Sequence, residues 1–471
     1  MKTRQLLTLS LIGLVLSACN KPQHEDPDVA GPEGTPAKLK LSLTLPNIIQ
    51  TYAGESDPNA TVSETEIDYV DVFVYDDGDG FGLTYKRYTA AEVGVGTVPF
   101  PNLRKITPTL DVRTGRKQIY VGVNLPDEIV DRLKTGHYVN EVFSSINFVN
   151  ANGNIAFFNA DIDDDGTHNN SKHIFNIVEG GTNEVTIEVA RLVSKIIVKQ
   201  AADLLTVDAS GGTLSDLHFT IGQRNQVAYV LPLIHKAGDE PADPNYLNGS
   251  AAAASQLALV NDASYVPVNA ASVTNWADDA TQKVYAPENT IDDAGGAAQH
   301  NDVTYVSVRA KFEPNQFEDP ADQPALWDGT FYAVFTGNDD EDGIGQRYFY
   351  DEDNAIAYVA ANPAIAAPTV HTYTSGYCYY RIYLNQGGNY GLYRNNIYVA
   401  TITHINTIGT SGPDVLPGSL NTPTYPGAPI PEVNPVITPS DRIVPIVREP
   451  LTTSLSLVPW NLPAPSDYEL Y

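Results

Sequence analysis

The chain has 471 residues, with 57 acidic and 28 basic side chains and a formal net charge of −29. A surface that negative repels nucleic acid and anionic membrane, both of which need a cationic face, and it favours solubility. Two cysteines, Cys19 and Cys378, exclude a disulfide-dense scaffold, and the length suffices for two or three domains, each with its own core.

Lys2 and Arg4 make a short basic start, and Leu6 to Leu16 is apolar except at Thr8, Ser10 and Gly13. That run is too short to cross roughly 30 Å of hydrocarbon. It reads as a secretory signal peptide, residues 1–18. Its end, Leu16-Ser17-Ala18-Cys19, resembles a bacterial lipobox, in which Cys19 becomes the lipidated first residue of the mature protein. Lipidation is therefore assigned to Cys19, which ties the exported chain to a membrane. Residues 19–36 are polar, carry prolines at 22, 27, 32 and 36, and read as a disordered tether or propeptide.

Lys38 to Leu45 alternates without a fault, with Leu39, Leu41, Leu43 and Leu45 on one face. This is a half-buried strand. Further strands are expected at Tyr69–Tyr75, Gln118–Asn124, Asn183–Val189 and Ser194–Lys199. Pro126–Thr135 has a helical pattern, and Asn140–Phe148 fits neither period cleanly. The expected boundary near Ala190 separates a first domain, 37–190, from a second, 191–410. The second contains an Ala/Ser/Asn-rich insertion at Gly249–Ala271, strands at Val303–Phe312 and Thr330–Thr336, and two more within Tyr377–Ile405 around Gly387-Gly388-Asn389. Residues 411–471 form a separate arm. Ser411 to Pro450 holds ten prolines, which makes a sheet core there improbable on steric grounds. Leu451–Val458 is a last strand, with Leu451, Leu455 and Leu457 alternating.

Catalysis finds no support. The nine histidines form no metal-binding pair, and neither a G-x-S-x-G elbow nor a phosphate loop occurs. Cys378 sits in the aromatic strand Tyr377-Cys378-Tyr379-Tyr380-Arg381 and reads as a small buried hydrophobe. The chain is expected not to be an enzyme and to need no cofactor. Calcium is the one ligand with a pattern: Asp161, Asp163 and Asp165, followed by Gly166, open like a calcium loop. The closing position is Lys172 in place of Glu, so the loop is an incomplete EF-hand, and a solvated acidic hairpin tip is the plainer account of it. Asp76-Asp77-Gly78-Asp79-Gly80 and Asn338–Gly343 are acidic loops of the same kind.

Several stretches together resemble the fimbrillin family of Bacteroidales. They are the lipobox, Lys38–Pro46, Gly115–Pro126 with its Asn-x-Pro turn, Arg191–Lys199, Cys378–Arg381, Arg394–Tyr398 and Ile405–Gly409. The last three resemble the shaft subunit of the minor, short fimbriae. The resemblance implies an all-β fold of two transthyretin-like β-sandwich domains, with a proline-rich C-terminal arm and a terminal donor strand. It implies export to the outer membrane and assembly by strand exchange, in which a processing protease removes the tether and first strand. A neighbour's strand then refills the groove. Its implied partners are identical subunits in a head-to-tail filament, accessory base and tip subunits, and host or bacterial surface receptors, in the service of adhesion and biofilm formation.

The physics fits. Leu39, Leu41, Leu43 and Leu45 form a removable apolar ladder, and Leu451, Leu455 and Leu457 form another. One departure stands out: no Arg or Lys lies between Lys40 and Lys86, so the loop after the first strand offers nothing to an arginine-specific protease. An ordinary edge strand is the plain alternative for Leu39–Leu45. A surface glycan-binding lipoprotein of a nutrient-uptake system, with tyrosines and Trp276, Trp327 and Trp460 stacking on sugars, is the alternative for the whole chain.

Overall fold

The structure is a computed structural model. It describes residues 34–45, 61–77, 82–94, 103–136, 142–160, 173–234, 241–242, 257–258, 264–289, 303–336, 345–363, 370–384, 390–413 and 451–459, less 62, 145–146, 182, 207–210, 232, 276–277, 279 and 406–407. Among the described residues the fold is β-sheet throughout, with two short α-helices.

The first strand, β1 (Pro36–Thr44), is followed by β2 (Tyr69–Asp76), β3 (Leu83–Thr89), β4 (Leu103–Ile106), β5 (Leu110–Arg113) and β6 (Gly115–Val123). After helix α1 (Asp127–Thr135) come β7 (Phe157–Asn159) and β8 (Asn183–Arg191). These strands share one sheet in the order β3-β2-β6-β7-β8-β1-β4, with β5 pairing the start of β1. The α1 segment starts after Pro126 and buries Ile129, Val130 and Leu133 on one side, the spacing of an amphipathic helix.

The chain turns at Leu192 into β9 (Val193–Thr206). Next come β10 (Gly212–Gly222), β11 (Val284–Pro287), β12 (Tyr305–Pro314), β13 (Phe331–Phe335) and β14 (Gln346–Phe349). Helix α2 (Glu352–Ala361) precedes β15 (Val370–Tyr373), β16 (Tyr377–Tyr383), β17 (Asn396–Ile405) and β18 (Leu451–Pro459). Among the described residues these strands form the sheets β11-β9-β17-β18, β10-β12-β16 with a short outer strand, and β14-β13-β15, beside smaller two-stranded pairings.

Two clusters of buried side chains organise these sheets. The first holds the four β1 leucines with β2, β6, β7 and β8. The second holds β10, β12, β13 and β16. Strand β9 serves both, because alternate side chains of a strand point to opposite faces. Val193 and Ile197 enter the first cluster, and Ile196 and Val198 enter the second. Its parallel partner β17 does the same, with Ile397 and Val399 on one side and Tyr398, Ala400 and Ile402 on the other. Burial on both faces explains why Ile196-Ile197-Val198 and Ile397-Tyr398-Val399-Ala400 are continuous apolar runs instead of alternating.

Sequence and structure differ most at α2. The segment Glu352-Asp353-Asn354-Ala355-Ile356-Ala357-Tyr358-Val359-Ala360-Ala361 gives no amphipathic signal, since Ala355 alone is buried. The helix is fixed at its start, where the Asp351 carboxylate accepts from the Asn354 amide at 3.1 Å.

Candidate strand-exchange site

Strand β1 lies between two neighbours. It runs parallel to β8, with Leu39 opposite Asn183 through Thr44 opposite Glu188, and antiparallel to β4 and β5. Leu39 and Leu43 are fully buried and Leu41 and Leu45 are 3% exposed, so the whole alternating set is in the core. The outward lysines are paired across the sheet: Lys38 reaches Asp111 at 2.6 Å and Lys40 reaches Glu184 at 2.8 Å, both on the exposed face. The Lys40 ammonium holds the Glu184 carboxyl below its usual range. Such exposed pairs fix register and add little strength. The leucines supply the strength: at about 2 kcal/mol each, they contribute on the order of 8 kcal/mol.

The chain downstream is held differently. Residues 46–60 lie outside the described part, but from Thr61 onward the backbone is stitched by buried polar groups. Glu64 and Lys195 form an ion pair at 2.9 Å with both side chains fully buried. The Tyr285 hydroxyl donates to the other Glu64 oxygen, and the Thr61 amide donates to Glu64 Oε2 at 2.6 Å. Burial pushes the Lys195 ammonium down to about 8, against the pull of Glu64. Asn124, in the left-handed turn that follows β6, donates to the Glu66 carbonyl at 2.7 Å and accepts from the Asp68 amide at 2.9 Å. The Asn-x-Pro turn read from the sequence is thus the anchor of this segment.

At the other end, β18 forms an antiparallel ladder with β17 of the same chain, from Asn396 opposite Pro459 to Ile405 opposite Leu451, with a register shift between Ile402 and His404. Leu451, Leu455 and Leu457 occupy this strand. Here the strand arithmetic is instructive. Taken in register with Leu39, Leu41, Leu43 and Leu45, the C-terminal strand offers Leu451, Thr453, Leu455 and Leu457.

The other motif residues have structural work. Arg394 is nearly buried: Nη2 lies 2.7 Å from Glu288 Oε2 and also donates to the Tyr229 carbonyl, while Nη1 donates to the Val230 carbonyl. At Gly409 a Cβ would sit 2.3 Å from the Tyr379 carbonyl oxygen, so no larger residue fits that close approach. Cys378 is fully buried, and burial pushes its thiol up to about 11, which makes it a packed hydrophobe. Cys19, Trp276, Trp460 and the calcium candidates Asp161, Asp163 and Asp165 lie outside the described residues. Of the other acidic loops, Asp76 pairs with Lys117 and Asp77 with Arg116, the second at 2.5 Å. Among the described residues no group of three or more His, Cys, Asp or Glu side chains is placed to hold a metal.

A family model described as "Major fimbrial subunit protein type IV, Fimbrillin, C-terminal" matches residues 371–443. The chain resembles the fimbrillins. A curated relative, the minor fimbrium subunit Mfa1 of Porphyromonas gingivalis, is 24% identical over 460 residues, covering 88% of each chain. Among solved structures, a P. gingivalis fimbrillin is 12% identical at a TM-score of 0.44, covering 90% of this chain and 97% of that one. A cell-adhesion protein of Parabacteroides distasonis is 12% identical at a TM-score of 0.43, covering 91% and 100%. The fimbrillin match spans nearly all of β15 and the whole of β16 and β17, with Cys378 on β16, Arg394 just before β17 and Gly409 just after it.

Proposed function

We propose that this chain is a structural subunit of a cell-surface fimbrium. It is exported as an outer-membrane lipoprotein through Cys19 and polymerised head to tail by strand exchange. The filament serves adhesion to host cells or other bacteria and biofilm formation, with accessory subunits at base and tip. The likeness to fimbrillins supports the subunit role and its place at the cell surface. The observation that carries the mechanism is the contrast at β1. Its leucine ladder is wholly buried, yet its side-chain ion pairs lie on the exposed face, while the chain from Thr61 onward is tied down by buried ones. Cutting between Leu45 and Thr61 therefore frees the strand and leaves the rest anchored. The protease is not arginine- or lysine-specific, since that interval has neither residue.

In this reading the emptied groove takes the β18 strand of the next subunit, with Leu451, Leu455 and Leu457 in leucine pockets and Thr453 in the fourth. A head-to-tail contact of this kind does not close and so grows a filament. Strand β18 must leave β17 of its own chain to do so. The test is a stop codon at Leu451, read on gels run without heating. The full chain gives a ladder of polymers, and the truncated chain gives monomer that still folds, because β17 keeps β9 on its other side. Polymers of normal length from the truncated chain overturn the reading. Cys19→Ala should in addition abolish acyl labelling and surface filaments.

A further inference from the structure

Glu64 and Lys195 carry opposite charges in a place without solvent, since both side chains are fully buried. The site lies on the side of β9 that faces the first core, because Val193 and Ile197, two positions either way from Lys195, point into that core. Opposite Lys195 across the sheet stands Tyr285 of β11. Burying two charges is costly even when they are paired, and replacing them with one neutral group removes that cost.

Both oxygens of the carboxylate are engaged. Lys195 Nζ lies 2.9 Å from Oε2, which also accepts from the Thr61 amide at 2.6 Å. The Tyr285 hydroxyl donates to Oε1. An amine at that distance from one oxygen lies about 3.5 Å from the carboxyl carbon, the separation of a near-attack arrangement. Burial brings the Lys195 ammonium down to about 8; Glu64 opposes the shift, and the Lys283 and Arg191 cations reinforce it. A lysine that gives up its proton this readily is poised to act as a nucleophile.

We propose that Glu64 and Lys195 close an intramolecular isopeptide bond, from Glu64 Cδ to Lys195 Nζ, with loss of one water. The ammonium first passes a proton to the carboxylate along their hydrogen bond, which leaves a neutral amine beside a carboxylic acid. Nζ then attacks Cδ, and the negative charge that develops on Oε1 is met by the hydrogen bond from Tyr285. Oε2 takes a second proton from the nitrogen and departs as water. Of the three ammonium hydrogens, two leave in that water and one stays on the amide, so no oxidant or other reactant is consumed. The ionic pair is the resting form and the neutral pair a minor one, so closure is slow. Newly folded chain holds the ion pair, titrates and unfolds as such, and accumulates the bond with time. The bond ties the segment that follows β1 to the strand that both cores share. It forms within one chain and does not rest on strand exchange.

The test is the intact mass of the full chain, measured fresh after expression and again after ageing in its folded state. The aged chain should be lighter by one water. Its tryptic digest should contain a branched peptide that joins the Glu64 and Lys195 segments, with no cut after Lys195. Tyr285→Phe keeps both reacting groups and should close the bond about a hundredfold more slowly. An unchanged mass in the aged, folded chain overturns the proposal. A lost water that maps to a succinimide at an aspartate, with Lys195 still open to trypsin, overturns it too. Equal rates of closure in Tyr285→Phe and the natural chain overturn the part assigned to Tyr285.

Discussion

Leu43→Ala separates the two states that strand exchange requires. Leu43 is fully buried in the precursor, between β8 and β4, so its truncation removes the side chain's transfer energy and leaves a cavity. Buried leucines truncated in this way cost about 2–5 kcal/mol, and a strand flanked on both sides cannot collapse to fill the gap, so about 3 kcal/mol is expected. Denaturant unfolding of the purified precursor, followed by circular dichroism, should show this loss as a lower midpoint with an unchanged slope. Lys40→Ala, which breaks only an exposed ion pair, should leave the midpoint where it was. The filament should respond differently. If β1 is discarded on assembly, polymers grown from the Leu43→Ala precursor dissociate at the same denaturant concentration as natural ones. Polymers weakened by as much as the precursor would show that β1 stays in place, and the reasoning fails.

Two further outcomes follow from buried groups. Glu64→Gln strands the Lys195 charge in the core and should cost about 3–5 kcal/mol by denaturant unfolding, with Glu64→Gln/Lys195→Met recovering most of it; equal losses in the single and double variants would deny the pair. Lys195 releases its proton near 8 when folded against 10.5 unfolded, so the unfolded chain binds more protons in that interval and stability from this group rises with pH across it, a slope that Lys195→Met should abolish. Cys378 should resist iodoacetamide at pH 8 in the native protein and react fully in denaturant, as read by mass; native labelling would contradict its burial and raised thiol pKa.

What the sequence revealed followed from local regularity. Lys38–Leu45 was legible because one face is entirely leucine and the other entirely polar, and the folded strand keeps that division. Pro126–Thr135 was legible through its 3.6-residue spacing. Strands β9 and β17 were found as apolar runs, but their service to two cores was not, because a fully buried strand has no polar face to mark direction. The Glu64 site was invisible for a different reason. Its partners Lys195 and Tyr285 lie 131 and 221 positions away, and nothing in Thr61-Val62-Ser63-Glu64 distinguishes that carboxylate from the other acidic residues of the chain. Helix α2 lacked an amphipathic stripe, so only its Asp351 cap could have announced it. The arginine of Arg394-Asn395-Asn396 stood out by resemblance, while its role in gripping Glu288 and two carbonyls came only from the fold.

The two-faced strands β9 and β17 have a mechanical consequence. Both cores grip the same pair of parallel strands, from opposite sides and at adjacent residues, so a tensile load entering one half passes into the other through sheet backbone. Parallel strands drawn along their axes are loaded in shear, where the six consecutive ladder pairs from Lys195–Ile397 to Gln200–Ile402 resist together and do not open one at a time. A subunit built this way carries tension along its backbone from one core to the other, without relying on a hinge between them.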